Sequence, residues 1–288
     1  ARRWAPSGAA GRAGRLAVSA RRCTAPVLAT ALFSDRYLEG ICLMSTEVST
    51  DAERRARVAL SMIAQPGSGL YRAAGQRGPV AVWAGMAARF LAVEPGAVLA
   101  GHRWDGWRLV CPGDEEWPPG LDALGAVGPD ETIHAPLVLW VRGAGHLAHA
   151  TAHSVAITGT RAATDYGECV ADLLAGDLAG WGWSVVAAAG YGIDAAALRA
   201  ALRTSTPVVA VLASATDRRT HRTLLTDVER AGVVVSETLP DAPATRLRFA
   251  ARRRLLAGLA RGVVVVEAGL CALGRWTPRT PPRGWAGR

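Results

Sequence analysis

The feature that most constrains this chain is a regular alternation between residues 154 and 267. The short runs at 154–159, 183–189, 207–213, 232–236 and 262–267 are almost wholly apolar, with Glu267 their one charge. A strand with one wet face alternates apolar and polar residues; strands buried on both faces read as continuous apolar runs. The intervening stretches, 166–180, 194–204, 220–231 and 248–260, have helical length and spacing, and the first carries Val170, Leu173, Leu174 and Leu178. This order predicts an α/β chain with a doubly wound, mostly parallel sheet. Ligands of such sheets bind beyond the C-terminal strand ends. Three turns should therefore converge there: 159–161, 190–194 and 236–237.

The first turn, Gly159-Thr160-Arg161, joins a strand to a helix. Free N–H groups and the helix dipole favour an anion at such a helix start. Arg161 stands at the mouth, and a guanidinium can fork onto phosphate oxygens. The second turn, Gly190-Tyr191-Gly192-Ile193-Asp194-Ala195, matches the Gly-x-Gly-x-x-Ala dinucleotide fingerprint in its strand–helix context. Against a dinucleotide, Asp194 falls where the pyrophosphate would lie, and Asp217 is only a weak ribose-binding acid. The plainer reading is that Asp194 caps helix 194–204. The glycine flanks leave Tyr191 exposed and able to stack on a base. Downstream, Arg246, Arg248, Arg252, Arg253 and Arg254 crowd the start of one helix. They read either as a solvated face or as contacts to a phosphate backbone. Phe249 among them reads as core before it reads as a stacking platform.

Signals for catalysis are missing. There is no Gly-x-Ser-x-Gly elbow, no Walker A sequence and no His-Glu-x-x-His. His146, His149 and His153 have helical spacing, but Gly143 and Gly145 precede them and a solvated linker is expected. His221 has no evident partner, and Glu237 at a strand end is a base without a nucleophile beside it. No enzyme activity, cofactor or metal is therefore expected.

The net charge of +9 over 288 residues looks like a nucleic-acid signal, but it is unevenly placed. Residues 1–43 carry seven Arg against Asp35 and Glu39, residues 271–288 carry four Arg and no acid, and 44–270 hold 22 Arg against 22 acids. An anion site in the central region must therefore come from local clustering. Cysteines at 23, 42, 111, 169 and 271 form no Cys-x-x-Cys pair, which fits a reducing cytoplasm. The apolar run 25–33 is too short to span a bilayer, so no membrane association is expected.

The organisation follows. Residues 1–43 read as a disordered or over-extended N-terminus, with Met44 a natural start. Residues 44–110 read as a small helical domain: helix 51–65, capped by Thr50 or Ser49, then a helical stretch at 79–92. Residues 111–153 connect it to the sheet domain, 154–270, through the turn Trp117-Pro118-Pro119-Gly120-Leu121 and a strand at 137–141. Residues 271–288 form an irregular Pro/Trp/Arg tail.

The motifs VAITGTRAATDYG, AAAGYGIDAAA, VVAVLAS, VVVSE and RFAARRRLLAGLARGVVVVEA occur in an order and spacing that resemble the DNA-processing protein A family, DprA or Smf. The resemblance covers 154 to roughly 271. It implies a Rossmann-like fold behind a small helical domain. It also implies a non-enzymatic, cytoplasmic homodimer that binds single-stranded DNA and helps load a RecA-type recombinase in natural transformation. By the same resemblance Gly159, Thr160 and Arg161 fall on the family's Gly-Ser-Arg turn. Arg252 and Arg254, with Arg253 between them, fall on its Phe-Pro-x-Arg-Asn-Arg run, and Gly192, Ile193 and Asp194 on its Gly-Ile-Asp. With Gly190 and Tyr191 these form the expected DNA-binding set. Three departures stand out: Tyr191 replaces a basic residue, Ala250 a proline and Arg253 an asparagine. The family also continues past Val-Val-Glu-Ala with further elements where this chain has its tail. Two other readings stay open, a Rossmann-like nucleotide-binding enzyme of phosphoribohydrolase or dinucleotide type and an inactive, truncated remnant of the family.

Overall fold

A computed structural model describes residues 30–33, 50–104, 106–126, 134–214 and 221–268. The expected Pro/Trp/Arg tail and most of the N-terminal segment lie outside these residues, as does Asp217. Four helices occupy residues 51–104: α1 (Asp51–Ile63), α2 (Gly69–Arg77), α3 (Pro79–Ala84) and α4 (Pro95–Trp104). Thr50 caps α1 by accepting the Glu53 N–H at 3.2 Å, as its position before the acidic first turn predicts. The helix expected at 79–92 is instead two elements. Helix α3 ends at Gly85, and Ala87–Arg89 form a single 3-10 turn. Helix α2 was not legible because two glycines in nine residues, Gly69 and Gly75, dilute its signal. Leu60, Tyr71, Ala74, Val82 and Leu137 make a separate small core beneath these helices.

The eight described strands form one sheet. They are β1 (Thr30–Phe33), β2 (Arg108–Val110), β3 (Leu139–Arg142), β4 (Ser154–Thr158), β5 (Ser184–Ala188), β6 (Val208–Leu212), β7 (Val233–Ser236) and β8 (Gly262–Val265). Their spatial order is β1-β8-β4-β5-β6-β7-β3-β2. Strands β8, β4, β5, β6 and β7 are parallel, while β1, β3 and β2 join antiparallel at the two sides. The pattern-based reading of a mostly parallel sheet holds. Two differences concern its edges. The strand expected at 137–141 is β3, but β2 joins it from the stretch expected to be helical, and Thr30–Phe33 pairs with β8 from within the segment expected to be disordered.

Four more helices of the sheet domain complete the layers: α6 (Asp165–Gly180), α7 (Ile193–Ala201), α8 (Arg222–Ala231) and α9 (Arg246–Leu259). A short α5 (Leu147–Ala152) precedes β4. It replaces the solvated linker expected at the histidines, and His146 and His149 stack on each other with ring centroids 4.1 Å apart. Alternate residues of the central strands feed two cores. Val155, Ile157, Val185, Ala187, Val208 and Ala210 pack under α6, α7 and α8, and Ala156, Val186, Val209, Val211 and Val235 pack under α9 and α5. Burying both faces is what makes the strand sequences uniformly apolar, each buried Val, Leu or Ile contributing about 1.5–3 kcal/mol. All the parallel strands end at the same edge, and the loops there carry the candidate site.

Candidate functional site

Loops β4–α6 and β5–α7 meet at this edge. The Ile193 N–H lies 3.4 Å from the Thr160 carbonyl. Gly192 lies so close to the first loop that a Cβ on it would sit 2.5 Å from the Thr160 carbonyl oxygen and 2.7 Å from that of Arg161. Its φ of +68° is also one that side chains rarely adopt. Gly159 packs against Ile193, where a Cβ would sit 2.6 Å from Ile193 Cγ1. The Gly-x-Gly turn therefore docks one loop on the other. The third turn ends β7 at the same edge, but Glu237 there is buried against Arg254 and Tyr71.

The α6 N-terminus is not an open anion seat. Thr164 caps it, accepting the Gly167 N–H at 3.0 Å. Glu267, just beyond β8, accepts the Thr164 N–H at 3.0 Å and lies 3.3 Å from its hydroxyl. Its backbone carbonyl accepts the Thr160 N–H at 2.7 Å. The chain thus supplies its own carboxylate where the dipole argument expected a phosphate.

Arg161 is exposed and turned toward α9. Its guanidinium lies 5.0 Å from the centroid of the Phe249 ring, and that of Arg252 lies 5.3 Å from the same centroid. Cation–π attraction to a shared ring holds two positive groups near each other despite their repulsion. Phe249 is half-buried, so it is a platform for cations as much as core. Arg252 is only 7% exposed and reaches the Val211 carbonyl at 3.5 Å.

Asp194 lies beneath this pair. Gly192, not Asp194, occupies the N-cap of α7, so the capping reading is corrected: the carboxylate faces inward instead. It is 5% exposed and is hydrogen-bonded by the Thr158 side chain, while its Oδ1 atom is buried without a partner. Burial raises its pKa to about 6, against the opposing pull of Thr158, Arg252 and Arg161. Tyr191 is 57% exposed, as its glycine flanks predict, and packs edge-on against His221 with centroids 4.5 Å apart. His221 therefore has a partner that a separation of 30 positions hid from the sequence.

The arginine run divides by helical geometry. Arg253 is exposed, and Arg252 lines the Phe249 cluster. Arg254 turns inward: it is 8% exposed and ion-paired with Glu237, itself 3% exposed. The Tyr71 hydroxyl also bonds Glu237, and the Arg254 guanidinium lies 5.9 Å from the Tyr71 ring centroid. The group ties α2 to the C-terminal end of β7 and to α9, and it engages the Arg254 guanidinium with an internal acid.

Fold and site together define a Rossmann-like α/β domain with two guanidiniums held over one aromatic ring at its strand ends. The model for DNA recombination-mediator protein A matches residues 108–272, more than half of the chain, and the chain belongs to that family. It is 44% identical over 171 residues to a DNA processing protein DprA of Mycobacterium tuberculosis, covering 57% of this chain and 44% of that protein. It is 34% identical over 166 residues to protein Smf of Escherichia coli, covering 56% of this chain and 42% of that one. The chain thus spans less than half the length of these relatives. The X-ray structure of DprA from Streptococcus pneumoniae superposes with a TM-score of 0.54 at 20% identity over 76% of each chain, a likeness of fold.

Proposed function

We propose that the cleft over Phe249 binds single-stranded DNA. The observation that carries this reading is the pair of guanidiniums, Arg161 and Arg252, held over one ring beside exposed Tyr191. Two adjacent cations grip a phosphate backbone, and Tyr191 offers a face to a base. A base needs to be unstacked to use such a platform, which favours a single strand over a duplex. Gly159, Thr160, Gly190 and Gly192 shape the cleft and Asp194 sets its charge, while Arg253 lies exposed along the approach. Membership of the DNA recombination-mediator family supports the reading. On it, the protein acts by binding rather than catalysis. It works as a cytoplasmic homodimer, shielding incoming single strands and passing them to a RecA-type recombinase during natural transformation.

The test is fluorescence anisotropy with a labelled single strand and its duplex, over a salt series, for the wild type, Arg161→Ala and Phe249→Ala. Preference for the single strand, weakening with salt and a loss of about 1–3 kcal/mol in each variant are expected. A folded wild type that binds neither form overturns the reading. Sedimentation with and without DNA tests the dimer, and co-sedimentation with recombinase filaments tests that partner.

A further inference from the structure

The cleft does not end at Tyr191. His221, against which that ring packs, also lines an open groove of about 820 Å³ between α7 and α8. Arg199 on α7 and Arg222 and Arg230 on α8 face it, with Asp227 the single acid in its wall. All three arginines are exposed. Arg222 and Arg230 are eight residues apart, so they fall on one stripe of α8 about 12 Å apart along its axis. That span exceeds one nucleotide step, about 3.4 Å per strand in a duplex. Asp227 approaches Arg230 at 3.3 Å, but this exposed pair is worth little and leaves the groove with a net charge of +2. In a central region whose charges otherwise balance, this is a local excess of the kind an anion track requires.

We infer that the α7–α8 groove is a second phosphate track, which takes the continuation of the same single strand after it passes over Tyr191. This rests on the DNA-binding reading of the cleft. The first cleft pairs cations with an aromatic floor and so engages bases and backbone together. The groove offers arginines and the aliphatic wall of Leu202 and Leu224 without an exposed ring, so it engages the backbone alone. Binding there adds affinity without sequence preference. Tyr191 and His221 form the hinge between the two segments.

The experiment compares oligothymidylates of about 6 and about 20 nucleotides, bracketing the site sizes of single-strand modules. The proteins are the wild type, the triple variant Arg199→Ala/Arg222→Ala/Arg230→Ala, and a control with the same charge removed from exposed positions on the helical unit, Arg55→Ala/Arg77→Ala/Arg89→Ala. In the wild type the longer strand should bind at least about tenfold tighter, with a steeper salt slope. The groove variant should keep its affinity for the short strand and lose most of the gain. Its salt slope on the long strand should fall by about 2, as loss of three phosphate contacts on a single strand requires. The control should retain the gain. If groove and control variants weaken equally, or the groove variant keeps its slope, this inference fails while the first cleft stands. If no length binds to the folded wild type, both readings fail.

Discussion

Glu267 caps a helix that begins about a hundred residues before it, accepting the Thr164 N–H at 3.0 Å. This closes β8 onto the β4–α6 loop and fills the α6 N-terminus with an internal negative charge. Glu267→Ala should lower stability by about 1–2 kcal/mol, the usual cost of a lost cap plus a dipole contact. Urea unfolding measures it. Because this end of α6 is already occupied, single-strand affinity should not fall in the variant once folding is accounted for. A tenfold loss would mean that α6 itself seats a phosphate.

The buried Arg254–Glu237 pair predicts a different pattern. Removing one partner strands a charge in the interior, so Arg254→Met or Glu237→Gln should each cost about 3–5 kcal/mol. The double replacement Arg254→Met/Glu237→Met should recover much of that, since both charges then vanish and the volumes are roughly kept. Urea midpoints test the cycle. The double variant should also bind single strands like the wild type, which would not hold if Arg254 gripped phosphate.

How much of this was legible beforehand follows from what local pattern encodes. The sheet was legible because burial on both faces leaves a continuous apolar signature, and the helices between the strands supply the crossover. The two loops of the cleft were legible too, since Gly159-Thr160-Arg161 and Gly190-Tyr191-Gly192 each lie between a strand and a helix. What pattern does not encode is the direction in which a side chain turns. Arg252 and Arg254 are two residues apart, about 200° around a helix, so one lines the cleft while the other faces Glu237 and Tyr71. Arg252 lies over Phe249, three residues back on its own helix, whereas Arg254 meets a buried acid just beyond β7, 17 residues away in the chain. The sequence shows Glu267 only as the charge ending a strand, and Asp194 as a cap or a DNA contact; long-range packing decides where both carboxylates lie.

Glycine substitutions should separate the two roles in the second turn. Gly192→Ala places a Cβ against two backbone carbonyls and forces a positive φ, so it should cost roughly 2 kcal/mol or more and weaken single-strand binding by displacing Arg161. At Gly190 the Cβ would meet the Asp194 Oδ2 atom at 2.7 Å, the end of a side chain. Gly190→Ala should therefore be milder, its main effect falling on Asp194. Thermal unfolding and anisotropy on both variants test the contrast, and equal destabilisation would refute it.

Asp194 provides the pH dependence. Its folded pKa, about 6, lies above the ordinary 3.8 because burial outweighs Thr158, Arg252 and Arg161. Between about pH 4 and pH 6 the folded state therefore holds a proton that the unfolded chain has released. Stability contributed by this residue falls as pH rises through that window, and above it the buried charge remains as a fixed penalty on the order of 3 kcal/mol. Asp194→Asn should remove this decline, so the variant gains on the wild type at pH 7.5 and matches it more closely at pH 4.5 in urea midpoints. The same charge opposes anions at Arg161 and Arg252. The variant should therefore bind single strands several-fold tighter than the wild type at pH 7.5, with the difference shrinking by pH 5.5. His221 beside Tyr191 is common to both proteins and cancels in the comparison. If Asp194 were instead a stabilised partner of Arg252, the sign would invert. Asn would then destabilise the protein at neutral pH, with the loss fading on acidification.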